Sequence, residues 1–185
     1  MVVIDGINQL HGSFYTNSNI TGNWEDYVTI DIVDYVDSHY RTLADAQYRG
    51  WAGHSMGGSG ALTIGMNHPE MFSYIYSMSP GLFAPDAFSQ HRMLADPIKQ
   101  EIVNLVAETQ QQTEAEAKQT YSDFIADNKS STNLMFALAY TSAFSDNSNT
   151  TSPYFNYAYD KNGTTVEKNQ TAWASTQMRH FGKRL

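Results

Sequence analysis

The run Gly53-His54-Ser55-Met56-Gly57-Gly58 constrains this chain more than any other feature. The residues before it, Tyr48-Arg49-Gly50-Trp51-Ala52, suit a short buried strand. Those after it, Ser59 to Met66, are mostly small and apolar and suit a helix packed close to a sheet. A serine flanked at two residues by glycines, at a strand-to-helix junction, marks a sharp turn that lifts a hydroxyl above the strand ends. Gly53 and Gly57 lack a Cβ and so relieve crowding in such a turn. Gly58 and Gly60 let the helix approach the strands. The N–H of Met56, at the helix N-terminus, can meet a developing oxyanion, and the helix dipole adds to it. A plain connecting turn needs no serine at its apex. His54 adjoins Ser55, so its side chain is expected to point away and to pack or hydrogen-bond beneath the turn.

Composition excludes several chemistries. The 185 residues include no cysteine, which removes disulfides, thiolate catalysis and Cys-based zinc sites. No paired His/carboxylate spacing stands out, so neither a metal nor a cofactor is expected. A net charge of −8 argues against nucleic acid and anionic membranes as partners. Met1-Val2-Val3-Ile4 is too short for a signal peptide or a membrane span, and no other apolar run is long enough. A soluble protein, cytoplasmic by default, is the corresponding expectation. With 41% hydrophobic residues the chain can bury a core, and its length suits one domain.

Periodicity predicts alternating strands and helices in the first half. Val2-Val3-Ile4, ended by Asp5-Gly6, reads as a buried parallel strand. Asn8 to Thr21 reads as a loop anchored by Phe14 and Tyr15. Trp24 to Tyr40 reads as a helix, with Trp24, Val28, Ile32, Val36 and Tyr40 on one side and Glu25, Asp26 and Asp34 on the other. Ser73 to Met78 is a third strand, which makes the strands parallel with crossover helices. Asp96-Pro97 starts a helix running to about Gln110. Thr113-x-x-Glu116 is a capping box opening another, to about Ala126. Thr132 caps a third, Pro153 to Tyr159 is extended, Lys161-Asn162-Gly163 is a turn, and Thr171 to Leu185 is a terminal helix. The fold class is thus α/β, a short mostly parallel sheet with flanking helices. It forms a single domain, with an α/β core over 1–85, a helical insertion over 86–145 and a C-terminal segment over 146–185.

Several further motifs follow one another at familiar intervals: Asp5-Gly6, Ser13-Phe14-Tyr15-Thr16-Asn17-Ser18, Thr21-Gly22-Asn23-Trp24-Glu25, Asp37-Ser38-His39-Tyr40-Arg41-Thr42, His68-Pro69-Glu70-Met71-Phe72 and Ser79-Pro80-Gly81. With the Ser55 turn, they make the chain resemble the esterase D-type putative esterase family of α/β-hydrolases. That family includes S-formylglutathione hydrolases, feruloyl esterase-like enzymes and mycolyltransferases. The resemblance is dense over residues 2 to 83 and weaker at Ala143-Phe144-Ser145 and at 153–163. It implies hydrolysis of carboxylic esters, with Ser55 as nucleophile and the Met56 N–H in the oxyanion hole.

The resemblance covers the central portion of that fold. The family's catalytic acid and histidine have no counterparts here, and neither role is carried over. The family strand that sits between the Val2–Ile4 and Trp51 strands is also absent. Those two strands must then pair directly, leave a gap, or accept a strand from another chain. An exposed parallel edge predicts a homo-oligomer. Late in the chain, His180 could serve Ser55 with Asp146 or Asp160 as the acid, and His11 on the first loop is the other candidate base. His39 and His68 read as structural, and His91 carries little weight. Phe14, Tyr15 and the helical segment from about Asp86 to Ala143 could form a lid or substrate wall; for the helices, plain packing over the sheet reads equally well. The leading reading is a serine esterase acting on small acyl esters through an acyl-enzyme. A catalytically incomplete scaffold or binding module, and an acyltransferase, stand as alternatives.

Overall fold

Two parallel strands, β3 (Gly50–His54) and β4 (Tyr74–Met78), pair with Trp51 opposite Ile75 and His54 opposite Met78. The computed structural model describes residues 1–83, 91, 95–128, 131–145, 157, 159–167 and 169. Parallel strands need a crossover, and the helix α3 (Met56–Asn67) supplies it, packed against both. The strands and the connecting helix fall where sequence periodicity predicts them. Gly65 permits the contact, since a Cβ there would lie 2.4 Å from the Ile75 side chain.

Ahead of this unit the chain makes a two-residue antiparallel hairpin, β1 (Asn17–Ser18) and β2 (Gly22–Asn23). A continuous helical stretch follows: α1 (Trp24–Asp26), a π-helical segment (Tyr27–Ile32) and α2 (Val33–His39). Val28, Ile32 and Val36 turn inward as predicted, but Tyr40 is exposed. Glu25 departs from its predicted outer face and is only 4% exposed. One turn before Val28 and Thr29, it shares their inward side. Its carboxylate is satisfied there by Asn67 Nδ2 at 3.0 Å and His68 Nε2 at 2.8 Å.

Val2–Ile4 does not form the predicted strand. Val3 is 82% exposed and the segment pairs with no described strand. An apolar run becomes a strand only where a neighbouring edge takes its hydrogen bonds. Here a cleft of about 680 Å³ separates Met1–Ile4 from β3, so the two segments do not pair directly.

The second half is helical: α4 (Ile98–Thr109), α5 (Glu114–Asn128) and α6 (Thr132–Phe144). α4 buries Ile102, Val103, Leu105, Val106 and Thr109, the stripe of an amphipathic helix. α6 is buried almost all round and forms the centre of this layer. Predicted caps shift by one residue: Pro97 and Ser131, rather than Asp96 and Thr132, precede α4 and α6. Gly163, in the left-handed region at φ 76°, completes the predicted Lys161–Gly163 turn. The predicted terminal helix over 171–185, and all but Tyr157 and Tyr159 of the extended run from Pro153, lie outside the described residues.

Two apolar clusters result. One joins α4, α5 and α6 to Phe14 through residues such as Leu105, Leu134, Leu138 and Tyr140. The other joins Tyr15, Val28, Ile64 and Phe72 beneath the parallel strands. Each fully buried Leu, Ile or Phe contributes about 1.5–3 kcal/mol.

The capping box forms as predicted. Glu116 accepts from the Thr113 N–H at 2.8 Å and from its hydroxyl at 2.7 Å. These bonds, the backbone one first, hold its carboxyl below the usual 4.5. A lowered carboxylate pKa stabilises the folded state above the unfolded value, and that contribution fades as pH falls through the folded one. Glu116→Ala should therefore lower the thermal midpoint at neutral pH and lose that effect in acid well below pH 4.5, as read by circular dichroism melts.

Candidate active site

Ser55 alone makes the turn between β3 and α3. Its backbone lies at φ 54° and ψ −114°, a region that side-chain-bearing residues avoid at a cost of about 1–3 kcal/mol. Both flanks hold it there. The Ser55 N–H donates to Met78 C=O at 2.9 Å, while its own C=O accepts from Ser59 N–H at 3.0 Å and Gly81 N–H at 3.2 Å. The side chain of Ser55 does not cap α3. The hydroxyl is thus not spent on the helix, and the first N–H groups of α3, that of Met56 foremost, have no intrahelical acceptor.

The glycines divide in a way the motif does not announce. A Cβ at Gly53 would lie 2.0 Å from Gly57 O, so strand and helix could not meet with any other residue there. A Cβ at Gly58 would lie 2.6 Å from Met78 O, which confirms its role in the approach to the strands. Gly60 instead faces the Tyr15 ring, at 2.6 Å from Cδ2. Around Gly57 there is open space within 4 Å, so the crowding lies at Gly53 and Gly57 relieves none of it.

His54 is exposed and does not pack beneath the turn, because β3 presents alternate residues to solvent. His11 sits at φ 69° in a loop organised by Asn8. Asn8 Oδ1 accepts from the N–H groups of Leu10 and Gly12, and its Nδ2 donates to Gly12 C=O. That loop abuts the turn, for a Cβ at Gly12 would lie 2.7 Å from Met56 Sδ. Among the described residues no hydrogen bond joins Ser55 to a histidine ring. His180 and Asp146 lie outside the described residues. Asp160 accepts from the N–H groups of Asn162 and Thr164, which fastens its own turn. His39 stacks on Tyr35 and His68 binds Glu25, the structural roles their positions at helix ends suggest. His91 rests edge-on against Phe83.

Phe14 and Tyr15 part ways. Phe14 is 1% exposed, its ring against Phe136, Tyr140 and Phe144, which leaves it no face for a substrate. Tyr15 lines the 680 Å³ cleft, with its hydroxyl donating to Ile4 C=O at 3.1 Å. Burial, and secondarily Asp5, push that hydroxyl's pKa up. The cleft runs from Ser55, Met56 and Gly57 along β3 to the Met1–Ile4 wall. Sequence reasoning missed the Glu25–Asn67–His68 cluster, whose partners lie 42 and 43 residues apart and share no local pattern. Among the described residues no group of three or more His, Asp or Glu could hold a metal ion, and no helix is long and apolar enough to cross a membrane.

A family model described as putative esterase matches residues 7–175, nearly the whole chain.

The two glycines beside Ser55 make a matched pair for mutation. Gly53→Ala forces backbone apart and should cost about 2 kcal/mol or more. Gly57→Ala enters open space in a helix and should be neutral or stabilising by up to about 1 kcal/mol. Urea denaturation of the two variants measures both.

Proposed function

The chain belongs to the putative esterase family, an esterase-like hydrolase family, and from that membership we propose that it is a serine-dependent carboxylic ester hydrolase built on a reduced α/β-hydrolase core. The observation that carries the reading is Ser55, held in a left-handed turn at the N-terminus of α3 with its hydroxyl not used as a cap.

In this reading Ser55 Oγ attacks the ester carbonyl carbon as its proton passes to a base. The carbonyl oxygen gains the negative charge and accepts a hydrogen bond from the Met56 N–H. The C–O bond to the alcohol then breaks, the alcohol leaves with the proton, and an acyl group remains on Ser55. Water attacks that acyl group and releases the acid. His11 and His180 are the candidate bases. His11 is favoured among described residues by the contact of its loop with Met56. Small acyl esters are the proposed substrates, and transfer to an alcohol in place of water would make the same acyl-enzyme an acyltransferase.

A second reading has an observation of its own. No histidine ring meets Ser55 among the described residues, which favours a scaffold that keeps the turn without a working base. A fluorophosphonate probe separates the two. The esterase reading expects one adduct per chain on Ser55, none in Ser55→Ala, and turnover of p-nitrophenyl acetate. Replacing the true base, by His11→Gln or His180→Gln, should cut kcat about 10³-fold or more. Absence of both adduct and turnover leaves the scaffold.

A further inference from the structure

Met56 follows the candidate nucleophile directly and is wedged where three segments meet. Its sulfur lies so close to the Gly12 backbone that a Cβ at Gly12 would stand 2.7 Å from Sδ. The same point lies 3.0 Å from the Cβ of Ala139 in α6. The sulfur thus fills the contact between the loop organised by Asn8, α6 and the start of α3, and Gly12 itself is buried. Among the described methionines only Met56 packs against both apolar clusters. It is partly buried there, whereas Met135 of α6 is 5% exposed and closed off.

A thioether is a soft, polarisable group, and its sulfur keeps a lone pair that attacks peroxides. The sulfur bonds one oxygen of hydrogen peroxide as the O–O bond breaks. The proton on the transferred oxygen joins the departing hydroxide as water. The sulfur is oxidised to the sulfoxide and the peroxide is reduced, so no other reactant is needed. The product carries one added polar oxygen, which disrupts apolar packing. At Met66 and Met78, which are 42% and 39% exposed, that oxygen meets water. At Met56 the side toward Gly12 has no room for it, and the surroundings are Ala139 and the two apolar clusters. A polar atom without a partner is unfavourable in such a contact, and relief comes by movement of the loop or of the helix start. Met56 is the first residue of α3, so that movement is felt one residue away, at Ser55.

We propose that Met56 is an oxidation site: a peroxide converts its thioether to the sulfoxide, which unseats the start of α3 and takes the Ser55 turn out of its working geometry. Access follows from position. Any route that brings an ester to Ser55 brings hydrogen peroxide, which is smaller than any ester, to the next residue. The Met56 N–H moves with the helix start, so both the nucleophile and the oxyanion donor are displaced together. This consequence for catalysis rests on the esterase reading of Ser55, while the loss of packing at Gly12 and Ala139 does not.

Treatment of the full chain with hydrogen peroxide tests the proposal, beside Met56→Leu and Met66→Leu. Leucine is close to methionine in volume and carries no sulfur. Peptide mapping by mass locates the added oxygen, thermal melts read the packing, and the rate of fluorophosphonate labelling of Ser55 reads the turn. Wild type and Met66→Leu should gain one oxygen on Met56, fall in thermal midpoint by about 2 °C or more, and be labelled about tenfold more slowly. Met56→Leu, compared with its own untreated sample, should keep its midpoint and its labelling rate. A Met56 left unoxidised while Met66 and Met78 take up oxygen overturns the proposal. So does an unchanged midpoint in the oxidised wild type, or an equal fall in Met56→Leu. In a chain that takes no probe before treatment the esterase reading fails, and the melts still decide whether a Met56 sulfoxide disturbs the fold.

Discussion

Phe14 and Tyr15 are neighbours in sequence and serve different cores, and the architecture depends on that division. Both lie at φ 52°, in the left-handed region, so the chain twists between them and sends the two rings apart. Phe14 enters the helical layer, where three aromatic rings lie within 5.5 Å of its centroid. Tyr15 enters the α/β layer, edge-on to Trp51 and pressed on Gly60 of α3. Two left-handed residues in succession are costly, and burial of two large rings offsets that cost. Met56, packed against both clusters, lies at the seam they create. The Ser55 turn is thus fixed from below by the strands and from the side by the junction of two cores.

Local signals were legible and distant ones were not. The Gly53–Gly58 pattern, the β3 and β4 runs and the Thr113–Glu116 box all act within a few residues, and all appear where the sequence places them. Val2–Ile4 has the composition of a strand, but being a strand is a property of two segments and depends on a partner that composition does not reveal. Glu25 looks like one more surface acid, and only the fold brings Asn67 and His68 to it. Phe14 reads as a loop aromatic open to ligand because nothing local tells that α6 covers it. Of the candidate site, the place of the turn was legible, while the surroundings of Gly57, Gly60 and His54 were not. Which side chains come near Ser55 was not legible either, since that is decided by proximity in space.

Sheet edge and candidate site are one surface. The cleft beside the edge of β3 that no described strand pairs is the same cleft that ends at Ser55. A two-stranded parallel sheet is a poor structure on its own, for parallel strands ordinarily lie within larger sheets covered on both faces. Here α3 covers one face, while Ala52, His54, Tyr74 and Tyr76 leave the other to solvent. Any segment that paired with that edge of β3 would lie beside Ser55, because β3 and Ser55–Gly57 line the same cleft.

The left-handed backbone at Ser55 has a consequence for how this chain can change. Glycine adopts such a conformation freely, and serine does not. At this one position the most comfortable residue for folding is glycine, which carries no hydroxyl. Ser55→Gly would remove the hydroxyl and relieve the backbone in a single substitution. Foldability alone does not favour the serine at position 55, so holding a hydroxyl at this turn and easing the turn itself are opposed demands on one residue.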